Sequence, residues 1–188
     1  MQFVEIRRHS LTKKGPRRGH GSRLSYEGVE LARRVGARPG PFDLVFTSSV
    51  RRTAETAIAM GFAVDAECEE LSRVPEEVFA AVAHHEQWEW REPFSEYAKR
   101  LASSQALASF AMEQAGLWRS LGERAPTGGA VLVVTHGGII EPSLVAAFPD
   151  AEYSTWGAPF AHCEGARFSL EAGGFSCLEI LRVDPAAA

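Results

Sequence analysis

The sequence has few cysteines and no long hydrophobic segment. Its three cysteines, Cys68, Cys163 and Cys177, lie far apart and form no C-x-x-C pair. This pattern is typical of a protein in a reducing compartment and argues against a zinc knuckle. No apolar run approaches the roughly 20 residues of a membrane-spanning helix, and charges interrupt the apolar start of residues 1–10, unlike a signal peptide. We therefore expect a cytoplasmic protein without a membrane partner.

The charge is distributed unevenly along the chain, whose net charge is −4. Residues 1–40 hold ten Lys or Arg and three Asp or Glu, whereas residues 41–188 hold ten basic and twenty-one acidic residues. A nucleic-acid-binding module is more often basic overall, so we expect no nucleic-acid partner. A basic segment on an acidic body predicts a local anion site instead. The cluster in loop 11–23 fits either a solvated surface or a contact with substrate.

The alternation of apolar segments and helical patterns predicts the fold class. No internal repeat or linker divides the 188 residues, so one domain is expected over 1–188. Strands are predicted at five places by apolar runs or alternation: 2–6, 43–47, 62–66, 131–135, and a hairpin of 166–170 with 175–183. Because helices separate the first four strands, we predict a three-layer α/β/α sandwich with a mostly parallel sheet.

Helix signals occupy the segments between these strands. Ser25 is predicted to cap a helix that ends near Gly36. A second helix is predicted over 50–60 with Ser48 or Ser49 as its cap, and another over 139–147. The segment from approximately 74 to 124 is predicted to be a helical insertion. Its aromatic residues Trp88, Trp90 and Phe94 are interpreted as packing residues, with a lid over a pocket as the alternative.

Imidazole or guanidinium side chains follow three of the predicted strands. Arg8 and His9 follow strand 2–6, Arg52 opens the helix after strand 43–47, and His136 follows strand 131–135. Ligands of open α/β sheets bind outside the carboxyl ends of the strands, where helix N-termini add backbone donors. If the strands are neighbours, these groups form a site for a dianion, most simply a phosphoryl group.

Four segments, in order, resemble the motifs of the histidine phosphatase superfamily, the phosphoglycerate mutase-like enzymes of branch 1. They are Arg8-His9, Leu24 to Gly28, Ser48 to Ala57, and Val131 to Gly138. The match spans residues 1 to about 145 and implies the phosphoglycerate mutase-like fold.

The resemblance implies a metal-independent phosphatase that works through a phosphohistidine intermediate without a cofactor. His9 would attack phosphorus, while Arg8, Arg52 and His136 would hold the phosphoryl oxygens. The substrate would be a phosphorylated small molecule or a phosphoprotein, which the sequence does not identify. The alternative is a non-catalytic relative that binds a phosphorylated ligand or protein. A phosphoglycerate mutase is less favoured, because the glycolytic mutases of this family are typically longer.

The chain departs from the family pattern at two places. Ser10 stands where the family has glycine, and Leu71-Ser72-Arg73 has an arginine where the family often has its acid in Leu-x-Glu. We assign the general acid to Glu77, with Glu76 as the alternative. Glu70 and Glu141 stay open as further options, and His20 and His162 receive no assignment.

Overall fold

The computed structural model describes residues 1–13, 22–37, 40–83, 85–172 and 174–183. Within these ranges the strands are β1 (Gln2–Arg8), β2 (Leu44–Ser48), β3 (Ala66–Cys68), β4 (Ala130–Thr135), β5 (Gly165–Glu171) and β6 (Gly174–Leu181). They form one sheet in the order β3-β2-β4-β1-β5-β6. Strands β3, β2, β4 and β1 pair in parallel with one another. Strand β5 pairs antiparallel with β1, and β6 pairs antiparallel with β5.

The helices over the same ranges are α1 (Tyr26–Gly36), α2 (Arg51–Ala59), α3 (Glu76–Val82), α4 (Pro93–Ser103), α5 (Gln105–Gly122) and α6 (Ile140–Ala147). Short 3-10 turns occur at Glu69–Leu71, Gln87–Glu89 and Tyr153–Trp156. Ser25 caps α1 as predicted, because its side chain accepts a hydrogen bond from the Gly28 N–H. The segment 74–124 thus contains α3, α4 and α5, and its description as an insertion in a single domain stays a prediction.

The central strand β4 is buried on both faces. Its residues 131–134 are inaccessible to solvent, as a run of Val and Leu between two parallel neighbours requires. Val131 and Val133 pack in a core with residues of α4, α5 and α6, whereas Leu132 and Val134 pack with residues of α1 and α2. The sheet therefore lies between two helical layers, which confirms the predicted α/β/α sandwich.

The third strand was predicted in the wrong place. Pairing with β2 begins at Ala66, not at residue 62. The preceding residues Phe62 and Val64 instead pack against the core beside α1 and α2. Asp65 stands at the point where the loop becomes a strand. Its N–H donates to the Val45 carbonyl, and its carboxylate accepts from the Val45 N–H. Apolar alternation here reflects a loop packed on the core, which sequence periodicity does not separate from a strand.

The predicted serine cap of α2 was also wrong. The helix begins at Arg51 with Val50 as its N-cap and no side-chain cap. Ser49 bonds to Ser72 instead, and Ser48 points to His136. In the described part of the chain, no helix is long and apolar enough to cross a membrane.

Candidate active site

The carboxyl ends of β1, β4 and β2 meet at one edge of the sheet and bring four predicted residues together. The ring centroids of His9 and His136 are 5.3 Å apart, and Nη2 of Arg52 lies 3.1 Å from Nδ1 of His136. Arg8 joins these three residues in the wall of a cavity of about 230 Å³. Parallel pairing of Arg8 with Thr135 in the β1–β4 register places the two histidines side by side.

His9 is fixed in the tautomer that leaves Nε2 unprotonated. Its Nδ1 lies 2.7 Å from the backbone carbonyl of Ser10, to which only an N–H can donate. Burial, together with the charge of Arg52, holds the pKa of His9 well below its ordinary value of 6.5. The ring is therefore neutral near pH 7, with the lone pair of Nε2 available for nucleophilic attack.

Ser10 fits where the family has glycine because its side chain is used in packing. It is fully buried, its Oγ donates to the Gly28 carbonyl over 2.7 Å, and its N–H donates to Oγ1 of Thr56. The backbone is close here, since a Cβ at Gly28 would lie 2.1 Å from the Leu11 carbonyl oxygen. Ser10 thus ties the loop after β1 to α1 and α2 and is not among the cavity-lining residues.

Arg8 lies in the cavity wall with part of its guanidinium still unpaired. Nη1 donates to the Phe160 carbonyl over 2.6 Å, whereas Nε is buried and has no partner in the described structure. The guanidinium fits against the backbone of Gly137, where an added Cβ would lie 3.1 Å from Nε. The half-exposed Trp88 ring covers Arg8 at 5.6 Å. A buried, unpaired N–H of a cation is a donor suited to a phosphoryl oxygen.

The two ring nitrogens of His136 contact the last residue of β2 and the first turn of α2. Because Arg52 donates to Nδ1, the ring proton of the neutral imidazole lies on Nε2, which donates to Oγ of Ser48 over 2.9 Å. Ser48 is held in turn by Thr53 over 2.9 Å. Ser48 and Arg52, both in the third motif, therefore orient the second histidine.

Glu141 is a fully buried carboxyl group behind the cavity. It accepts from the Gly138 N–H over 2.6 Å and from the Phe160 N–H over 3.2 Å. Burial raises its pKa, although the charge of Arg8 and the backbone hydrogen bonds oppose the rise. Since Phe160 also accepts from Arg8, Glu141 anchors the backbone that positions this arginine.

The other carboxyl groups considered as the acid lie outside the cavity. Glu70, Glu76 and Glu77 are exposed, and none belongs to the residues that line it. Helix α3, which carries Glu76 and Glu77, contributes Phe79 and Val82 to the lining. The assignment of the acid to Glu77 stays a prediction.

A third imidazole, which the sequence analysis left unassigned, lies beside the pair. The ring of His162 is 5.7 Å from that of His9, and burial together with the charge of Arg8 lowers its pKa to about 4. The next residue, Cys163, donates its N–H to the Arg8 carbonyl, which places His162 at the end of β1. No local motif marks it, because only the pairing of β5 with β1 brings it there.

The aromatic residues of the helical segment have two roles. Phe94 is fully buried in the main core, and Trp90 packs against Tyr97, as predicted for packing residues. Only Trp88 reaches the site, through Arg8. Among the described residues, no group of three or more His, Cys, Asp or Glu is arranged to hold a metal ion.

Known proteins share this fold and sequence pattern. Residues 6–181 match the profile of the histidine phosphatase superfamily (branch 1). A phosphoserine phosphatase from Entamoeba histolytica, crystallised with 3-phosphoglyceric acid, is 16% identical with a TM-score of 0.68, covering 100% of both chains. A phosphoglycerate mutase from Bacillus anthracis is 18% identical with a TM-score of 0.64, covering 97% of this chain and 92% of its own.

A mycobacterial glucosyl-3-phosphoglycerate phosphatase is 19% identical with a TM-score of 0.60, covering 98% of this chain and 100% of its own. No curated protein matches the sequence significantly. At these identities the solved structures establish the fold, and the profile establishes the family. The chain belongs to branch 1 of the histidine phosphatase superfamily.

Proposed function

We propose that this protein is a phosphatase that hydrolyses a phosphomonoester or related phosphoryl compound through a phosphohistidine intermediate. The observation that carries the proposal is the state of His9. Its Nδ1–H is held by the Ser10 carbonyl and its pKa is lowered, so a neutral nucleophile faces the cavity. His136 and the two arginines surround it.

In the first step, the phosphoryl group binds to the guanidinium groups of Arg8 and Arg52, next to the ring of His136. The planar guanidinium groups match phosphoryl oxygens in pairs and stay protonated at neutral pH. The unpaired Nε of Arg8 supplies one donor without breaking an existing hydrogen bond. As negative charge builds on the equatorial oxygens in the transition state, these fixed donors stabilise it.

In the second step, Nε2 of His9 attacks phosphorus and the bond from phosphorus to the leaving oxygen breaks. The leaving oxygen takes a proton from a carboxylic acid, for which we propose Glu77, with Glu76 as the alternative. The support is their position on α3, whose Phe79 and Val82 line the cavity. Water then attacks the phosphohistidine, which releases phosphate and restores neutral His9.

A second candidate function is binding of a phosphorylated ligand or protein without turnover. It is favoured by one observation: among the described residues, the cavity lining contains no carboxyl group. In either case the expected partner is a phosphorylated small molecule or a phosphoprotein. The cytoplasmic location expected from the cysteines stays a prediction.

Turnover of p-nitrophenyl phosphate separates the two candidates, because its leaving group has a pKa of about 7 and needs little protonation. Acid quench with radiolabelled substrate is expected to trap an acid-labile, base-stable phosphoenzyme in the parent and none in His9→Ala. Full activity in His9→Ala would refute the phosphohistidine mechanism. Tight phosphate binding without turnover in the parent would favour the non-catalytic function.

A further inference from the structure

The residues that line the cavity differ in polarity. Arg8, His9, Arg52 and His136 supply the groups proposed to surround the phosphoryl group, and Ser72, Gly137 and Gly138 line the cavity beside them. The remaining lining residues are apolar and are called the apolar wall: Val50, Val74, Phe79, Val82 and Ile139. The apolar wall is therefore the surface available to the part of the substrate that departs.

A charged leaving group is disfavoured at this wall. A carboxylate next to Val82 and Ile139 would lose its hydration, and an unpaired buried charge is costly. The two cavity guanidiniums, Arg8 and Arg52, are used by the phosphoryl group in the proposed function. Arg73, although close in sequence to Val74, is exposed and does not line the cavity. The wall thus favours an uncharged leaving group.

The size of the cavity and the residue at its rim favour an aromatic ring. An apolar cavity of about 150 Å³ suffices for benzene, so a volume of 230 Å³ holds one ring beside the phosphoryl oxygens. Phe79 lines the cavity but is 60% exposed. A substrate ring would cover its surface, and aromatic pairs of this kind are favourable beyond the area that they bury.

The chemistry of departure agrees with this shape. A phenolic oxygen has a pKa of about 10, whereas the pKa of water, and of a simple alcohol like it, is far higher. A phenolate therefore departs with less help from an acid. Glu76 and Glu77 are both exposed and do not line the cavity. An acid at this distance is better suited to a phenolate, which needs little protonation, than to an alkoxide, which needs a proton to depart.

We propose that the protein acts on aryl phosphate monoesters, whose ring binds between Phe79 and the other side chains of the apolar wall. This inference rests on the proposed phosphatase function. In the reaction the bond from His9 Nε2 to phosphorus forms as the bond from phosphorus to the aryl oxygen breaks. The aryl oxygen keeps the electron pair and takes a proton from water or the acid. Water then hydrolyses the phosphohistidine to phosphate.

The test compares steady-state kinetics on phenyl phosphate, a capped phosphotyrosine peptide, phosphoserine and 3-phosphoglycerate. The parent is expected to show kcat/KM at least about 100-fold higher for the aryl esters. Phe79→Ser is expected to raise KM for phenyl phosphate about tenfold, the loss from exposing one ring, with inhibition by inorganic phosphate unchanged. Met112→Ser is the matched control, since Met112 is 58% exposed on α5 and outside the cavity.

The two aryl esters distinguish a protein substrate from a small-molecule substrate. A higher kcat/KM for the peptide identifies a protein tyrosine, and a higher value for phenyl phosphate identifies a small molecule. A preference for phosphoserine or 3-phosphoglycerate would overturn the inference and leave the phosphatase function intact. So would equal effects of Phe79→Ser on all four esters.

If no ester is turned over and no phosphoenzyme forms, the proposed function fails and the ring site is tested by calorimetry. Phenyl phosphate that binds about tenfold more tightly than inorganic phosphate, with the difference lost in Phe79→Ser, would support the ring site on its own. Equal affinities would overturn it.

Discussion

Arg52 donates a hydrogen bond from Nη2 to Nδ1 of His136 over 3.1 Å. The arginine lies on α2 and the histidine follows the end of β4, so the two residues are 84 positions apart in the chain. Because the imidazole accepts at Nδ1, its remaining proton is directed to Ser48. One side chain thus serves both as a phosphoryl ligand, in the proposed function, and as the group that sets the orientation of another ligand.

Arg52→Lys is expected to lower kcat/KM about 100-fold or more, the range seen when one preorganised donor is removed from a transition state. Lysine keeps the charge but loses the planar fork that reaches His136 and a phosphoryl oxygen together. Steady-state kinetics on p-nitrophenyl phosphate measures the effect. The neighbouring Arg51 is exposed, so Arg51→Lys provides the control, and equal activity in both variants would remove Arg52 from the site.

Ser48→Ala is expected to lower kcat about tenfold with a smaller change in KM, because Ser48 orients His136 without facing the cavity. Ser48→Thr keeps the hydroxyl and is expected to recover part of the loss. The adjacent Ser49 bonds to Ser72 at the surface, so Ser49→Ala is the matched control. A loss in Ser49→Ala as large as in Ser48→Ala would indicate a general effect on the loop.

Glu141→Gln is expected to lower the free energy of unfolding by about 1–3 kcal/mol, the cost of an unsatisfied buried group. The amide of the glutamine places its NH₂ group against the backbone N–H of either Gly138 or Phe160, so that N–H loses its acceptor. Urea unfolding measures the loss, with exposed Glu113→Gln on α5 as the control. Unchanged stability in Glu141→Gln would show that the carboxyl group is protonated and already donates a hydrogen bond.

The pH dependence of kcat/KM is expected to follow His9. The attacking imidazole must be neutral, and burial with the charge of Arg52 holds its pKa well below 6.5. With a substrate whose own ionisation is corrected for, kcat/KM is expected to stay constant as pH falls through 6.5 and to decline only at lower pH. A decline centred at 6.5 would show that His9 titrates like an exposed histidine.

Stability is expected to fall in acid for the same reason. The unfolded chain protonates His9 near its ordinary pKa of 6.5, whereas the folded chain does so only at lower pH. The free energy of unfolding is therefore unaffected by His9 above that pH. Below it, the free energy falls by up to about 1.4 kcal/mol per pH unit until the folded pKa is reached. Urea unfolding of the parent and His9→Gln across this range measures the effect, and identical pH profiles would contradict it.

Glu77→Gln tests the proposed acid through the leaving group. If Glu77 donates the proton, the substitution is expected to slow alkyl phosphates by about 100-fold and p-nitrophenyl phosphate by very little. Glu76→Gln is the comparison, because both glutamates lie in the first turn of α3. An equal loss on both substrates would indicate a structural role. No loss in either variant would move the acid to Glu70 or Glu141, or leave the reaction without one.

The sequence was sufficient to predict the elements that carry strong local signals. The apolar run of β4 predicted a central strand, and the alternation of strands with helices predicted the sheet. The convergence of His9, Arg52 and His136 was predicted because parallel strands place their carboxyl ends at one edge of the sheet. The contacts of Glu141 and the position of His162 could not be predicted. Glu141 acts through Phe160, and His162 reaches His9 only because β5 pairs with β1. Both depend on contacts between segments that are distant in sequence.

Strand β4 is made after β1 and β2 but is inserted between them in the sheet. A growing polypeptide therefore cannot complete the sheet in the order of synthesis, since β1 and β2 have no common neighbouring strand until residues 130–135 are made. Such long-range pairing is slow to form. A partly synthesised chain that ends before β4 therefore lacks His136 and the strand that would hold β1 beside β2, so in the proposed function the phosphoryl site is completed late.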